Sequence, residues 1–369
     1  MIELTPLKND LCEDMKTQRA PFTFKRDISP KDWYDWRWQY KNRIHTPGQL
    51  AALIKHPHRL PARYGRLIRS YPFCITPYYL SLINQDDEND PIGRQCLPDL
   101  KEIDFSLGGL IDPLEEERNM PVSGLMHRYP DRCLIMATNA CFTNCRHCNR
   151  KRRWDKRTHA ASKEELQAMI GYVSQARGIR EVIVSGGDPL TLNERLLDWF
   201  LGAVRSLPHV EVIRIGSRVP VVMPMRITKR LCNMLRKHRP VWFNTQFNHA
   251  NEITEDSARA CGMLLEAGIP LSNQSVLLKG INDTCEAMRS LLYGLQRIGV
   301  RPYYLFNCDH VAGTDHFRVD IGKGMEMMET LGRNISGLCL PRYVLDTRGE
   351  QGKITLAPVF PETSKGMNC

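Results

Sequence analysis

Short runs rich in valine, isoleucine and aromatic residues recur from residue 133 onward: Cys133 to Thr138, Val182 to Ser185, Val212 to Ser217, Val241 to Gln246, Leu271 to Leu278 and Pro302 to Cys308. Their starts lie 49, 30, 29, 30 and 31 residues apart, and the stretches between them, such as Lys163 to Gln175 and Asn193 to Val204, carry apolar residues at helical period. This rhythm predicts six repeats of strand then helix. Continuous apolar strands alternating with helices imply a parallel sheet covered by helices, so the fold class is α/β. Six units of about 30 residues suit a partial barrel better than a closed eight-stranded one, and in such folds chemistry gathers where strands end and loops begin. Those ends carry Asn139 to Cys148, Gly186-Gly187-Asp188, Ser217-Arg218, Asn248-His249, Asn273-Gln274 and Cys308-Asp309. A sheet built only to pack has no use for polar residues at every carboxyl end.

The first 108 residues read as helical and irregular. Ser29-Pro30 predicts an N-cap and first helical position before Lys31 to Arg43, and Thr46-Pro47 repeats the signal before Gln49 to Lys55. Trp33, Trp36 and Trp38 form no helical stripe, which favours packing against another domain or subunit. Asp86 to Asp90, followed by Pro91, reads as a linker or surface loop. The expected division is an N-terminal helical region at 1–108, a barrel at 109–320 and a C-terminal segment at 321–369.

Composition narrows the class. With 369 residues, 42% hydrophobic and 25% charged, the chain can bury a large core, which excludes disorder, collagen-like order and a coiled coil. No run approaches the roughly 20 uncharged apolar residues that span a bilayer, and Met1 to Lys8 lacks a signal-peptide pattern, so a cytoplasmic protein without a membrane partner is expected. The net charge of +10 is spread along the chain, apart from a dense run at Arg146 to Arg157 beside a cysteine cluster. No nucleic-acid motif accompanies it, and no nucleic-acid partner is expected. Thirteen scattered cysteines, an odd number, argue against a disulfide framework and for metal chemistry.

Cys141, Cys145 and Cys148 form C-x3-C-x2-C in the loop after the first predicted strand. Three thiolates so close can each hold one iron of a 4Fe-4S cluster, leaving the fourth iron open to chelate a small molecule. Zinc would want a fourth ligand at a standard spacing, and the nearby candidate, His147, lies inside the motif.

This motif, with Gly186-Gly187-Asp188 after the second strand, resembles the radical S-adenosylmethionine (SAM) superfamily. More narrowly, Asp32-Trp33-Tyr34-Asp35-Trp36-Arg37-Trp38-Gln39, Arg128-Tyr129-Pro130-Asp131-Arg132, Cys145-Arg146-His147-Cys148, Ile215-Gly216-Ser217-Arg218 and Asn273-Gln274-Ser275-Val276-Leu277-Leu278 resemble lysine 2,3-aminomutases. The likeness runs from about residue 29 to Lys353. It implies a partial (βα)6 TIM-like barrel of the radical SAM type and an isomerase that converts L-lysine to β-lysine by 1,2-amino migration through a 5'-deoxyadenosyl radical. Asp188, Ser217, Arg218 and Gln274 would hold polar parts of SAM, and Gly186 and Gly187 would let the backbone approach it.

The same resemblance implies a second cofactor, pyridoxal 5'-phosphate (PLP), which carries the migrating nitrogen and delocalises the unpaired electron. Lys353 matches the family's PLP lysine, and Arg128, Tyr129 and Arg132 match residues around the cofactor, a paired arginine suiting a phosphate dianion. The family's run of glycines before that lysine is replaced here by Arg348-Gly349-Glu350-Gln351-Gly352. Arg150 matches the arginine that pairs with the substrate carboxylate, and Asp309 and Asp346 match the family's lysine-binding carboxylates. Two acids facing one slot need a cation between them, so the substrate is a basic amino acid: lysine first, with arginine, or lysine for modification of a translation factor, as alternatives. An electron donor such as flavodoxin or ferredoxin and a homo-oligomer are implied as partners. Larger members continue past this lysine with zinc-binding cysteines; here 16 residues follow Lys353, and no such zinc site is expected. A cluster-bearing sensor without catalysis would lack some of Lys353, Arg150, Asp309 and Asp346, and all are present.

Overall fold

The computed structural model describes residues 28–55, 64–104, 108–154, 158–349 and 352–356. The readings made on Met1 to Lys8, on residues 155–157 of the basic run, on Glu350-Gln351 and on the chain end lie outside the described residues. The strands are β1 Leu125–Tyr129, β2 Arg132–Met136, β3 Glu181–Ser185, β4 Val212–Gly216, β5 Val241–Thr245, β6 Leu271–Leu277, β7 Arg301–Asn307, β8 Arg342–Asp346 and β9 Lys353–Thr355. They form one sheet in chain order. β2 to β8 run parallel, and β1 and β9 close its edges as antiparallel partners of β2 and β8. Curled on itself and covered by helices, the sheet is a partial TIM-like barrel.

Each of the six predicted runs is a strand, within two residues of its expected limits. β8 is a seventh parallel strand that the apolar rhythm did not announce, because Arg342-Tyr343-Val344-Leu345-Asp346 is short and charged at both ends. Continuous burial on both faces was also expected, and the strands instead alternate. Val182, Val184, Ile213 and Ile215 pack into the core, whereas Glu181, Ser185, Arg214 and Gly216 line the barrel interior. That inner face is polar, with Arg214 paired to Glu181.

The covering helices begin where the sequence provides caps. Lys163–Gln175 starts on a capping box of Ser162 and Glu165, and Glu194–Arg205 starts on the Asn193 side chain. The second helix buries Leu197, Phe200, Leu201 and Val204, the 3, 4, 7 spacing of a single face. After β7, the helix Ile321–Asn334 leads into β8, so Lys353 at the start of β9 belongs to the sheet.

In the N-terminal region the single helix expected from Lys31 to Arg43 is two short ones, Pro30–Trp33 and Trp36–Lys41, because Asp35 caps the second by accepting the Arg37 amide. Trp33 and Trp36 pack on the core of this same chain, and the buried Arg226 guanidinium lies 4.5 Å from the Trp36 ring centre. The acidic stretch ends in a stapled turn in which buried Asp90 accepts the amides of Asn84, Ile92 and Gly93. Among the described residues no helix is long and apolar enough to cross a membrane.

Candidate active site

The carboxyl ends of the strands open into a cavity of about 870 Å³ that continues into the polar barrel interior. Every residue named from the sequence as a cofactor or substrate ligand lines it, from Cys141, Cys145 and Cys148 on one side to Lys353 on another.

The cysteine loop follows β2 and is clamped by the N-terminal region. Arg43 Nη1 donates to the Cys141 carbonyl at 2.7 Å, Asn144 N to Cys74 O at 2.8 Å and Arg146 N to Gln95 O at 2.8 Å. Beneath it, the fully buried Arg146 and Lys151 share one buried carboxylate, Glu102, at 2.6 and 2.7 Å. Burial pushes the Glu102 carboxyl up, but the two cations outweigh it and hold the group below its ordinary range. Arg218 Nη1 donates to Cys145 Sγ at 2.8 Å, while its Nη2 is bound by Glu252, Gln95 and Tyr79. The Arg150 amide donates to Cys148 Sγ at 3.4 Å. Burial, followed by the neighbouring Cys148 and Asp188, pushes the Cys141 thiol well up, so cysteine charge at this spot calls for a cationic guest. Among the described residues no three or more His, Cys, Asp or Glu converge as ligands of a single ion. Three soft sulfurs along one cavity wall, two of them receiving N–H donors, form a donor set that fits an iron-sulfur cluster.

Gly186 and Gly187 serve the same loop. Gly187 N donates to Thr138 O at 2.6 Å, and a Cβ on Gly186 or Gly187 would lie 2.2 Å from the Thr138 or Ala140 carbonyl oxygen. The close approach is to the cysteine loop's own backbone, a reason for the pair that the sequence reading did not include. Asp188 is spent on structure as well. Its carboxylate accepts Ser217 Oγ at 2.9 and 3.0 Å and the Arg218 and Leu190 amides at 3.0 Å each, which ties the end of β3 to that of β4. Burial raises this carboxyl to about 6. Gln274, on β6, lines the cavity.

Across the cavity, Lys353 Nζ lies 3.1 Å from Asp346 Oδ2 and 3.5 Å from Tyr129 Oη, and Arg132 lies over the Tyr129 ring at 3.8 Å. Arg132 also pairs with Asp131 at 2.7 Å. Arg128 is turned to the hairpin carrying Lys353, donating to Asp346 at 2.9 Å, to Gly349 O at 3.0 Å and to the Thr347 carbonyl. The hairpin packs so tightly on Tyr129 that a Cβ on Gly352, at φ +65°, would lie 2.6 Å from that ring. An amine, a phenol and an arginine fork around one space suit an aldehyde bearing a phosphate.

The two acids of the predicted pair differ in their surroundings. Asp346 sits between Arg128 and Lys353, whereas the Asp309 carboxylate accepts a hydrogen bond from Asn149 Nδ2 at 2.9 Å. Burial, with Asp346 adding to it, raises the Asp309 carboxyl to about 6. Arg150 directs Nε and Nη2 to Glu116 at 2.8 and 2.7 Å and Nη1 toward the Gly186 carbonyl at 3.5 Å. Glu116, Asn149, Glu102 and Glu252 are site residues that sequence reasoning missed. The acidic run Glu115-Glu116-Glu117 against the basic run Arg150-Lys151-Arg152-Arg153 signalled pairing, though not which partners meet.

A parallel partial barrel with a three-cysteine loop clamped over the end of its first parallel strand defines a radical SAM protein. The family model for the radical SAM superfamily matches residues 135–292. An L-lysine 2,3-aminomutase from Clostridium subterminale is 45% identical over 91% of this chain and 80% of its own length. A glutamate 2,3-aminomutase from Clostridioides difficile is 41% identical over 89% and 78%. The solved structure of a radical SAM methyltransferase from Sphaerobacter thermophilus, 16% identical, aligns over 60% of this chain and 68% of that one with a TM-score of 0.44. The chain belongs to the lysine 2,3-aminomutase family and is an isomerase.

Proposed function

We propose that the protein converts L-lysine to β-lysine, moving the amino group from C2 to C3 with a 4Fe-4S cluster, SAM and PLP. The observation that carries this reading is the cavity itself, where a guanidinium, Arg150, borders the cysteine loop and a buried carboxylate, Asp309, faces Asp346 and Lys353. When bound, the cluster with SAM supplies a hydrogen-abstracting radical, and PLP carries the nitrogen and spreads unpaired electron density. Cys141, Cys145 and Cys148 would hold the cluster; Asp188 and Ser217 fix the strand ends beside it; Arg218, Gln274, Gly186 and Gly187 would hold SAM. Lys353 holds PLP, with Arg128, Tyr129 and Arg132 around it.

Arg150 binds the substrate carboxylate, which places the reacting carbons next to the cluster. The side-chain ammonium goes to Asp309 and Asp346. Asp346 already holds one ammonium, that of Lys353, so this carboxylate is placed to pair with an amine cation. A carboxylate pair buried in this way is costly without such a cation, which selects lysine over glutamate. A one-electron donor such as flavodoxin or ferredoxin, a homo-oligomer and a cytoplasmic setting belong to the same reading.

The test is product analysis after anaerobic incubation of the reconstituted, reduced enzyme with lysine, arginine, glutamate and alanine in turn. β-Lysine from lysine alone is expected. Conversion of glutamate or alanine at a comparable rate would overturn the basic-substrate reading.

A further inference from the structure

We propose that Glu116 is a positioning residue: it permanently occupies the Nε–Nη2 edge of Arg150, so that the substrate carboxylate is read by the remaining Nη1–Nη2 edge of the guanidinium. The inference rests on the reading of Arg150 given above and assigns a role to a residue outside it. One oxygen of Glu116, Oε1, receives both Nε and Nη2 of Arg150 at 2.8 and 2.7 Å. The other, Oε2, receives Arg152 Nη2 at 2.7 Å, and the same Nη2 also reaches Asp112 at 3.0 Å. Both Glu116 oxygens are thus engaged by arginines, and its side chain is buried.

Displacing it would strip a counter-charge from two arginines whose own side chains are nine-tenths and four-fifths buried. A buried ion pair that loses one partner is strongly disfavoured, so the Glu116 carboxylate stays where it is when substrate arrives. What remains of the Arg150 fork is the edge made by the second N–H of Nη2 and by Nη1, the latter near the Gly186 carbonyl at a loose 3.5 Å beside the cysteine loop. A guanidinium free to swivel would offer either its Nε–Nη2 or its Nη1–Nη2 edge to a carboxylate; this one offers only the second, in one orientation. The arrangement fixes where the carboxylate lands and hence which carbon faces the cluster.

The test compares L-lysine with L-lysinamide, which keeps both amino groups and lacks the carboxylate. Equilibrium binding is measured by anaerobic calorimetry on the cofactor-loaded enzyme without reductant, so that nothing turns over. The wild type should prefer lysine by about tenfold or more, as expected for a charge-assisted contact. Glu116→Gln should weaken lysine binding by about tenfold while changing lysinamide by less than about threefold, because the Gln amide N–H faces Arg152 and Arg150 swings free. Arg152→Lys, which keeps charge but loses the fork, should give a smaller loss of the same preference and stands in if Glu116→Gln fails to fold. Iron content should be unchanged in both. Equal loss of lysine and lysinamide, or a preference undiminished in both variants, overturns the inference alone. A wild type that binds the two ligands equally overturns the reading of Arg150, and this inference with it.

Discussion

The cysteine loop and the Lys353 hairpin face each other across one cavity and are held in opposite ways. The loop rests on fully buried charge: Arg146 and Lys151 on Glu102, and Arg218 on Glu252, with backbone bonds from the N-terminal region closing over it. The hairpin is a sheet edge three residues wide at β9, where Lys353 remains 27% exposed and one arginine, Arg128, ties Asp346 and the turn together. Buried networks that satisfy every partner rigidify, whereas a half-exposed edge can open. A cluster has to be kept from water and from movement. A lysine that accepts and returns a cofactor has to be reachable. Under the proposed roles, the division of stiffness follows that division of labour.

The largest effects should fall on the residues that would hold the cofactors. Replacing Cys141, Cys145 and Cys148 together by Ala should remove the cluster and all turnover while leaving the helical circular dichroism in place; iron and sulfide analysis checks it, and full iron in the triple variant would break the assignment. Lys353→Ala should instead keep the iron and lose covalent PLP. Borohydride reduction and peptide mapping read this out, with wild type labelled at Lys353.

Next comes the stiffness itself. Glu102→Gln leaves two buried cations without their shared anion and should cost about 3–5 kcal/mol of unfolding free energy, measured by denaturant titration. Asp346→Asn at the hairpin, where the Lys353 partner is 27% exposed and can turn to water, should cost less, about 1–3 kcal/mol by the same measurement. Equal costs would erase the contrast between the two regions.

The smaller effects concern the substrate. Asp309→Asn removes a charge but keeps shape, and should weaken lysine binding by about 1–3 kcal/mol, roughly tenfold to a hundredfold, with SAM binding intact. Because the Asp309 carboxyl is raised to about 6, it carries its charge above that pH and loses it below. Lysine affinity of the wild type should therefore fall as the pH is lowered through about 6, and the Asn variant should be flat across that step. The linked effect on stability has the reverse sign. A folded-state value above the ordinary 3.8 means the folded chain holds this proton more tightly, so the contribution is full in acid and declines as the pH rises from about 3.8 to about 6.

Much of this was legible in the chain. The apolar rhythm marked six parallel strands, and C-x3-C-x2-C with Gly186-Gly187 marked one wall of the cavity, because strand period, helix caps and ligand spacing are local properties. Motif order in the chain also named the candidate cofactor and substrate residues that the cavity brings together, though not Glu116 or Asn149 beside them. The orientation of those residues was decided by tertiary structure. Arg128 meets Asp346 across 218 positions, Arg146 meets Glu102 across 44 and Arg150 meets Glu116 across 34. Each arginine offers several donors and each acid two oxygens, so the chain alone admits many pairings. Folding selects one of them, because a buried charge left unpaired costs more than the chain's marginal stability can absorb.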